Sequence, residues 1–471
     1  MTSPGVTRTT ATAWSALVPL ALAQFICSFA GSNMNVMLND MSRDLNTTVH
    51  GIQVSITLFL LVMAALMIPF GKLTDQLGRK VCFVLGLAVY GVGAIVSALS
   101  PGLGLLILGN SILEGAGTAL LIPPVYILVT MYWRGIADRA RAFGIVSAAG
   151  GVGAATGPLI GGWICSSISW RAAFGFQALI IVVILILALR IKDPRPAEPE
   201  KPYDLVGAVL SGVGLIVFVL GILAADNNLW LCLVLMVGGA AVIALFFWWV
   251  RRREAKGKEP LLSTRLFRVR VSNLGMVTQN LQWLLLMGTS MLVASHLQVV
   301  RGYDAIETGI IFSAATVGIL GSSLAAGALV KRFSQRSLIV TGFLITGVGL
   351  LLLLIVGSIP DAWAFAWGLL AIGIGLGVML TPSVNLVQSA FPEEQQGEIS
   401  GLSRSISNLG SSFGTAIVGT VLVLNVSGPH DQYVLALIPL VVIAIIGMIV
   451  GGFLPGRAAL SPHSTTAATA S

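Results

Sequence analysis

Glu114 is the only one of the 19 acidic residues that falls near the centre of a long apolar segment. A carboxylate among apolar residues is costly to ionise, so such an acid normally faces a protein interior and marks the path of an ion or a ligand. Burial without a partner favours the neutral acid, which suits a residue that takes up and releases a proton. The alternative is a protonated Glu114 that only hydrogen-bonds to a neighbouring helix.

Neutral amides and two aromatic side chains form the second set of residues that can contact a ligand. Amides inside apolar helices often serve only as hydrogen-bonding contacts between helices. As a group they can instead line an apolar cavity with a few polar contacts, which is the usual character of a ligand site. The predicted cavity residues are Gln24, Asn33, Gln53, Phe59, Gln279, Gln282, Trp283 and Asn385.

The remaining reactive residue types show no spacing that supports catalysis or metal binding. The four cysteines are scattered and are interpreted as small apolar residues. His50 and His296 fall at the ends of apolar segments, where surface histidines are expected. The sequence has no HExxH motif, Ser-His-Asp grouping or phosphate-binding loop. We therefore predict no enzyme activity, no metal, no cofactor and no direct use of ATP.

The elements that must position these residues are long apolar helices. Hydrophobic residues make up 56% of the 471, charged residues only 10%, and the mean hydropathy is +0.93. Ordinary globular domains carry about 25% charged residues, so a soluble enzyme is excluded. The net charge of +8 does not indicate nucleic-acid binding, because the cations lie in short clusters between apolar segments.

Cutting the chain at its charged and turn-rich stretches gives fourteen apolar spans of membrane-crossing length. With both termini cytoplasmic, only Arg43, Arg171 and Arg301 of the 27 Lys and Arg residues fall outside. This asymmetry is typical of membrane proteins, whose cytoplasmic loops are enriched in cations. The predicted fold class is an all-α polytopic membrane protein with 14 transmembrane helices, located in the cytoplasmic membrane.

Two long polar stretches divide the fourteen spans into six, two and six. The predicted domains are an N-terminal six-helix half at 1–191, linkers and two inserted helices at 192–271, a C-terminal six-helix half at 272–454, and a flexible cytoplasmic tail at 455–471. Two six-helix halves are typical of transporters built from repeats. The central pair contains little but apolar residues and is interpreted as inserted rather than functional.

The connection between spans two and three reads Gly71-Lys72-Leu73-Thr74-Asp75-Gln76-Leu77-Gly78-Arg79-Lys80. Gly71 and Gly78 allow a tight turn with positive φ. Asp75 suits a helix N-terminus, where the macrodipole favours an anion. Arg79 and Lys80 hold the connection on the cytoplasmic side. An ordinary positively charged loop is the alternative interpretation.

Span five reads Gly153-Ala154-Ala155-Thr156-Gly157-Pro158-Leu159-Ile160-Gly161-Gly162. Gly153 and Gly157 form a bare stripe on which another helix can pack closely. Pro158 removes a backbone hydrogen bond and bends the helix. A common packing face of membrane helices is the alternative to a functional motif.

The two motifs carry a resemblance to a known family. The loop resembles the signature of the major facilitator superfamily, and Gly-x-x-x-Gly-Pro-x-x-Gly-Gly resembles the antiporter motif of its exporters. With fourteen spans and the segment from Pro260 to Phe267, the chain resembles the fourteen-helix drug:proton antiporter family over essentially its whole length. The resemblance implies the major facilitator fold, in which two halves rock about a central cavity. It also implies that the loop motif locks the cytoplasmic side, and Arg404 is the predicted partner of Asp75.

Two positions depart from the family pattern. Span one has Ala30 where an acid is expected, and Ser111-Ile112-Leu113-Glu114-Gly115 stands where the pattern is Arg-x-x-Gln-Gly. Both groups commonly linked to proton coupling are therefore missing. Coupling then depends on Glu114 or on the peripheral acids Asp40 and Glu307.

The leading hypothesis is a monomeric secondary active exporter that extrudes hydrophobic or amphipathic small molecules in exchange for protons, with membrane lipids as its surroundings. A second hypothesis keeps the fold but moves lipids or lipid-linked molecules, without requiring proton coupling. A third, a membrane enzyme or receptor, needs a cluster of catalytic or metal-ligating residues, which the sequence lacks. No nucleic-acid partner is expected.

Overall fold

The computed structural model of the chain is built from helices throughout the residues that it describes, which are 5–133, 136–191, 203–224, 228–357, 359, 361–391, 396–423 and 428–456. The α-helices in these residues are α1 Gly5–Asn33, α2 Leu38–Asp44, α3 Val49–Leu77, α4 Arg79–Ala98, α5 Leu103–Leu106, α6 Gly115–Tyr132, α7 Ile136–Ser167, α8 Trp170–Ala188, α9 Leu205–Leu223, α10 Leu229–Ala255, α11 Arg270–Ser295, α12 Ala305–Arg332, α13 Gln335–Val356, α14 Ala364–Gln388, α15 Gln396–Val423 and α16 Pro429–Gly452. A π-helical segment, Ile107–Glu114, joins α5 to α6, and a second, His296–Val300, extends α11.

Most of the long helices are apolar enough to cross a membrane. Twelve of them in the described residues meet that condition, and a thirteenth crossing follows if the bent helix α7 is counted. The chain is therefore a multi-pass membrane protein. Helix α15 is not among the twelve, and its buried side chains include Ser400, Ser403, Ser405, Ser407, Ser411 and Ser412. The predicted count of fourteen crossings stays a prediction.

Short polar side chains set the starts of several helices. Thr48 caps α3 by accepting a 3.0 Å hydrogen bond from the Gly51 amide. Ser169 caps α8 in the same way, and Asp304 and Glu307 form a reciprocal capping box at the start of α12. Such caps satisfy amides that have no partner within the helix, which fixes where each helix begins.

The connections between helices lie at two opposite faces. Arg171, in the first turn of α8, pairs with Asp44 and donates a 3.0 Å hydrogen bond to the Ser100 carbonyl, so the ends of α2 and α4 meet the start of α8 at one face. We name it the Arg171 face. The opposite end is named the Lys72 face, where Lys80 Nζ donates to the Leu189 carbonyl at the end of α8.

The helices pack as two groups. In the first group, α1 to α8, helix α1 packs along α7, and α4 packs along α6 and α8. In the second group, α11 to α16, helix α11 packs along α15, and α12 and α13 pack along α14. Two long contacts join the groups, one between α7 and α12 and the other between α3 and α15.

The central helices α9 and α10 pack on each other, and α9 also covers the contact between α3 and α15. The buried carboxylate of Asp204 ties this pair to the segment that follows it. It accepts hydrogen bonds from Gly207 N at 3.0 Å, Trp249 Nε1 at 2.9 Å and Leu261 N at 3.1 Å, and Arg253 lies 3.5 Å away. The pair is thus packed into the molecule at several points.

Candidate functional site

A cavity of about 460 Å³ lies between the two helix groups. Its lining comes from α1, α7, α11, α12, α14 and α15. The lining residues are Gln24, Ser28, Gly144, Ile145, Ala148, Gly150, Gly151, Val152, Ala154, Trp283, Leu286, Ile319, Leu320, Ser323, Leu380, Thr381, Val384, Gln388, Ser403, Arg404 and Ser407. Gly144, Ile145 and Ala148 are exposed and lie near the start of α7, so the cavity opens toward the Lys72 face.

Two of the eight residues predicted to line the cavity do so, Gln24 and Trp283. The Gln24 side chain is held at the wall because its oxygen accepts a 3.1 Å hydrogen bond from the Tyr126 hydroxyl. Its amide nitrogen donates to Ser28 at 3.2 Å. Gln24 and Ser28 line the cavity from α1, and Trp283 lines it from α11.

The other predicted cavity residues lie elsewhere in the described structure. Gln279 accepts from Ser403 between α11 and α15, and Gln282 donates to Ser383 at 2.6 Å between α11 and α14. Asn385 is exposed. The contacts of Gln279 and Gln282 are those of the alternative interpretation, in which amides hydrogen-bond between helices.

Three more of the eight predicted cavity residues are buried outside the cavity: Asn33, Gln53 and Phe59. Asn33 packs against Gly161 of α7, and Phe59 packs near Gly31. Gln53 bonds across the two helix groups, as described below. Their contact with a ligand stays a prediction, because residue type does not show which neighbour each helix face meets.

Arg404 contributes the charge of the cavity. It lies on α15, next to Ser405, whose hydroxyl donates a 2.6 Å hydrogen bond to the Ala64 carbonyl of α3. The guanidinium carbon stands 4.7 Å from the centre of the Tyr126 ring, a distance typical of cation–π contacts. The sequence assigned Arg404 to Asp75. The side chain of Asp75 lies outside the described residues, so that pairing stays a prediction.

Side chains of both groups hydrogen-bond to one another toward the Arg171 face. Asn35 Nδ2 donates to Ser290 Oγ at 3.1 Å, and Gln298 Nε2 donates to the Asn35 carbonyl at 3.0 Å. Gln53 Nε2 donates to Ser295 Oγ at 3.1 Å. All five residues are buried, so these bonds close the cavity on that side.

The glycines of the α7 motif face helix α1. A Cβ at Gly153 would overlap the Phe25 carbonyl oxygen, and one at Gly157 would overlap Ser32 Oγ. Gly161 packs on Asn33 in the same row. The stripe predicted from the spacing is therefore a close contact between two helices of the first group.

The last glycine of the motif faces the second group. A Cβ at Gly162 would overlap the Ala305 carbonyl oxygen at the start of α12, and the backbone of Pro158 touches Gly309. Helix α7 bends by 41° at Ala155, where the proline three residues later removes the support of a backbone hydrogen bond. The motif thus brings α7 against α12 at the Arg171 face and leaves room for the cavity beyond the bend.

The loop motif lies at the Lys72 face. Gly78 has φ of 94°, a value that side chains disfavour, and it separates α3 from α4. Arg79 is buried there. Lys72 joins the two groups, because its ammonium lies 3.2 Å from Glu398 Oε1 on α15 and 3.7 Å from Glu259 Oε2.

The segment before α11 fills the space beside this ion pair. Leu261 and Leu262 are buried and belong to one apolar cluster with Ile399 and Leu402 of α15. Both leucines also lie beside Lys72. The Pro260–Phe267 segment, noted in the sequence only as a family feature, therefore packs against both helix groups.

Glu114 lies in the interior of the first helix group, facing α4. Ser97 Oγ donates a 3.2 Å hydrogen bond to its Oε1, and its side chain covers Gly93. The Tyr90 hydroxyl, beside Glu114, donates to Gln177 Oε1 of α8. Glu114 is fully buried, as the sequence predicted, but it does not line the cavity.

A smaller cavity of about 40 Å³, large enough for water, adjoins the main cavity, with which it shares Gln24 and Arg404. Cys27 and Thr118 also line it. Thr118 follows Glu114 by four residues, so the two share a face of the same helix. One layer of side chains therefore separates the acid from the ligand-sized space.

His296 corrects a further expectation. The sequence suggested a surface histidine, but His296 is only 4% exposed. Its ring lies 4.4 Å from that of Tyr433, and its Nε2 accepts a 3.2 Å hydrogen bond from Arg301. His50 is partly exposed. The four cysteines are buried and free, in agreement with their interpretation as apolar residues.

The peripheral acids lie at the Arg171 face. Asp40 accepts a 3.3 Å hydrogen bond from the Cys165 thiol, and Glu307 belongs to the capping box of α12. Asp40, Arg43 and Asp304 line a polar pocket of about 260 Å³ at that face. Among the described residues no group of three His, Cys, Asp or Glu side chains has the geometry to hold a metal ion.

Comparison with known proteins agrees with this architecture. The model of the Major Facilitator Superfamily matches residues 20–248 and 205–415. The multidrug efflux pump LfrA of Mycolicibacterium smegmatis is 27% identical over 424 residues, which cover 89% of this chain and 82% of that protein. The puromycin resistance protein pur8 of Streptomyces alboniger is 27% identical over 416 residues, 87% of this chain and 81% of that protein.

A solved structure shows the same fold. The human organic anion transporter MFSD10 superposes with a TM-score of 0.61, covering 95% of this chain and 100% of its own, at 15% sequence identity. The resemblance that rested on the two motifs is confirmed by the family model, which covers most of the residues. The chain belongs to the major facilitator superfamily.

Proposed function

We propose that the chain is a secondary active exporter of hydrophobic or amphipathic small molecules that works by alternating access. The observation that carries the proposal is the shape of the central space. A ligand-sized cavity opens toward the Lys72 face, while Asn35, Gln53 and Gln298 bond across the two groups toward the Arg171 face. Such an arrangement exposes a binding site to one side only. The relatives named for multidrug efflux and puromycin resistance support this direction of transport.

The proposal includes the topology expected from the sequence. Fourteen crossings, arranged as six, two and six, place both termini and the Lys72 face in the cytoplasm. The few cations at the Arg171 face, among them Arg43, Arg171 and Arg301, support that orientation because extracellular loops are poor in cations. In this arrangement residues 1–191 and 272–454 are the moving halves, and 192–271 link them. The proposal also takes the transporter to be a monomer surrounded by lipid.

Proton antiport is assigned to Glu114. The acid lies within one layer of side chains of the cavity, and the water-sized space beside Thr118 gives a proton a route between them. Ala30 and Ser111 stand where the family pattern described above places charged residues, so no second ionisable group is available at those two sites. Exchange follows if Glu114 releases its proton toward the cytoplasm before the ligand leaves on the other side.

The test uses the purified full-length chain in liposomes with an imposed pH gradient. The substrates are a panel of neutral, anionic and cationic drugs that includes puromycin, and an enclosed pH-sensitive dye reports proton movement. The wild-type protein is expected to accumulate at least one of these drugs against its gradient while protons move the other way. Glu114→Gln should lower gradient-driven uptake at least about tenfold, the effect of losing a general proton carrier, and leave downhill equilibration intact.

Asp431→Asn is the matched control, because Asp431 is an exposed acid at the start of α16. Asp40→Asn tests the peripheral acid. If Glu114→Gln keeps the wild-type pH dependence, Glu114 has no coupling role. If puromycin and a wider panel of neutral and charged drugs never move faster than in empty liposomes, while fluorescent lipids do, the exporter proposal fails in favour of lipid transport.

A further inference from the structure

Arg404 is the one charged side chain among the described residues that line the main cavity. It also lines the adjoining water-sized cavity, so its guanidinium is positioned where the two spaces meet. Polar groups on both sides of it, Gln24, Ser403 and Ser407, are uncharged. The electrostatic character of the site therefore follows from a single cation.

No carboxylate within the described parts of the chain forms an ion pair with Arg404. Its described contact is with the face of the Tyr126 ring at 4.7 Å, and the uncharged Gln24, Ser403 and Ser407 line the same cavity. A guanidinium has five N–H donors and no acceptor. Stacking on a ring uses none of those donors, so they remain available to a molecule in the cavity.

The Glu114 carboxyl does not form an ion pair with the Arg404 guanidinium. Cys27 and Thr118 stand between the two side chains. The Glu114 carboxyl accepts a 3.2 Å hydrogen bond from Ser97 of α4, and Glu114 does not line either cavity. Among the described residues Arg404 thus has no ionic partner, and it lines a largely apolar space in which an anionic group of a ligand can supply one.

The rest of the lining fits the remainder of such a ligand. Trp283, Leu286, Ile319, Leu380 and Val384 provide an apolar wall from the three helices α11, α12 and α14. The cavity volume of about 460 Å³ lies within the usual range for small-molecule sites. An aromatic or short aliphatic body would contact this wall while one acidic group reaches Arg404.

We propose that the cavity selects amphipathic organic anions, with Arg404 as the residue that binds the carboxylate, sulfonate or phosphate group. The inference rests on the proposed export function, of which it names the substrate class. Organic cations are disfavoured, because they would place a second positive charge in a space with no described carboxylate. The anionic group can belong to a free metabolite or drug or to the headgroup of an acidic lipid.

The experiment measures binding of three dansyl probes that share one apolar body: dansylglycine as the anion, dansylamide as the neutral form, and a dansyl trimethylammonium derivative as the cation. The full-length protein is held in nanodiscs of zwitterionic lipid, and dansyl fluorescence gives the dissociation constants. Dansylglycine should bind best and the cation worst. Arg404→Gln should weaken dansylglycine roughly ten- to a hundredfold, the loss expected for a charge-assisted hydrogen bond.

Controls separate binding chemistry from misfolding. Arg404→Gln should leave dansylamide affinity within about twofold of the wild-type value, since the apolar wall is unchanged. Arg404→Lys should keep part of the preference for the anion. Arg252→Gln, which changes an exposed cation stacked on Trp248 outside the cavity, should bind all three probes like the wild type.

The binding results test the selection of anions, and the transport results test the export function. Equal or tighter binding of the cation by the wild-type protein, or dansylglycine affinity that does not change in Arg404→Gln, overturns the inference. Arg404-dependent binding of dansylglycine without movement of any probe into liposomes leaves the inference standing and refutes export. Displacement of dansylglycine by phosphatidylglycerol, but not by phosphatidylcholine, would identify the anion source as an acidic lipid.

Discussion

Lys72 on α3 donates a 3.2 Å hydrogen bond to Glu398 on α15, and this ion pair joins the two helix groups at the Lys72 face. Both side chains are partly buried, at 15% and 27% exposure. Lys72 stands three residues before Asp75 within the loop motif. Within the loop motif at 71–80, Lys72 is thus the residue for which an ionic contact to the second helix group is described.

Breaking this pair should weaken the contact between the groups. Lys72→Gln and Glu398→Gln are each expected to slow transport several-fold, and a double-mutant cycle should give a coupling of about 1 kcal/mol, the upper range for partly exposed ion pairs. Transport rates in liposomes measure both. Glu259→Gln is the control, because Glu259 is half exposed and lies farther from Lys72, at 3.7 Å. Additive single effects would show that the pair is not coupled.

The close approach of α7 to α12 predicts a steric effect at Gly162. Gly162→Ala places a Cβ against the Ala305 carbonyl and should destabilise the closed Arg171 face by about 1–3 kcal/mol, the usual cost of overpacking. Thermal unfolding in detergent reports the loss. The matched control on the same helix is Gly144→Ala, since nothing lies within 4 Å of a Cβ at that position. Equal melting temperatures for the two variants would contradict the contact.

Asp204 should be essential for docking of α9 and α10. Asp204→Ala removes an acceptor from Trp249, Leu261 and Gly207 and leaves Arg253 without its partner, which costs about 3–5 kcal/mol for a buried pair. Limited proteolysis between residues 256 and 269 should then become faster. A cleavage rate like that of the wild type would show that apolar packing alone holds the segment.

The Asp44–Arg171 pair predicts a pH effect at the opposite face. Hydrogen bonds from Arg171 and then from Trp170 hold the pKa of Asp44 below its ordinary value. A carboxylate with a lowered pKa in the folded state stabilises the fold above its unfolded pKa of about 4, and this contribution is lost as the pH falls through the folded value. Asp44→Asn should therefore melt at a lower temperature than the wild type near pH 7, with the difference shrinking below about pH 4. A constant difference from pH 3 to 7 would disprove the assignment.

Much of the architecture could be predicted from residue types alone. Long apolar segments, the cation asymmetry and two motifs indicated the superfamily, and the spacing of Gly153 and Gly157 predicted a close helix contact that the structure contains. These features are local, since each depends on residues within a few turns of one helix. The same is true of the burial of Glu114, which follows from its apolar surroundings.

The composition of the cavity could not be predicted in the same way. Gln24 and Trp283 were found because they are polar or aromatic, whereas Gly144, Ala148 and Leu380 carry no such signal. Their role depends on the bend of α7 and on which helices diverge beyond it. Arg404 was recognised as a cation, but its depth opposite Tyr126 depends on how α15 packs against α3. Contacts between distant segments decide these positions.

Helix α15 has a consequence for how the protein is made. With its six buried serines it is too polar to be counted among the membrane-crossing helices, whereas its neighbours α11 and α16 pass that condition. Serine hydroxyls that bond back to carbonyls one turn earlier, as Ser407 does to Ser403, reduce the penalty only in part. Since α3 and α11 are synthesised before α15, α15 should enter the bilayer by packing against these two helices, and its entry becomes a late step of assembly.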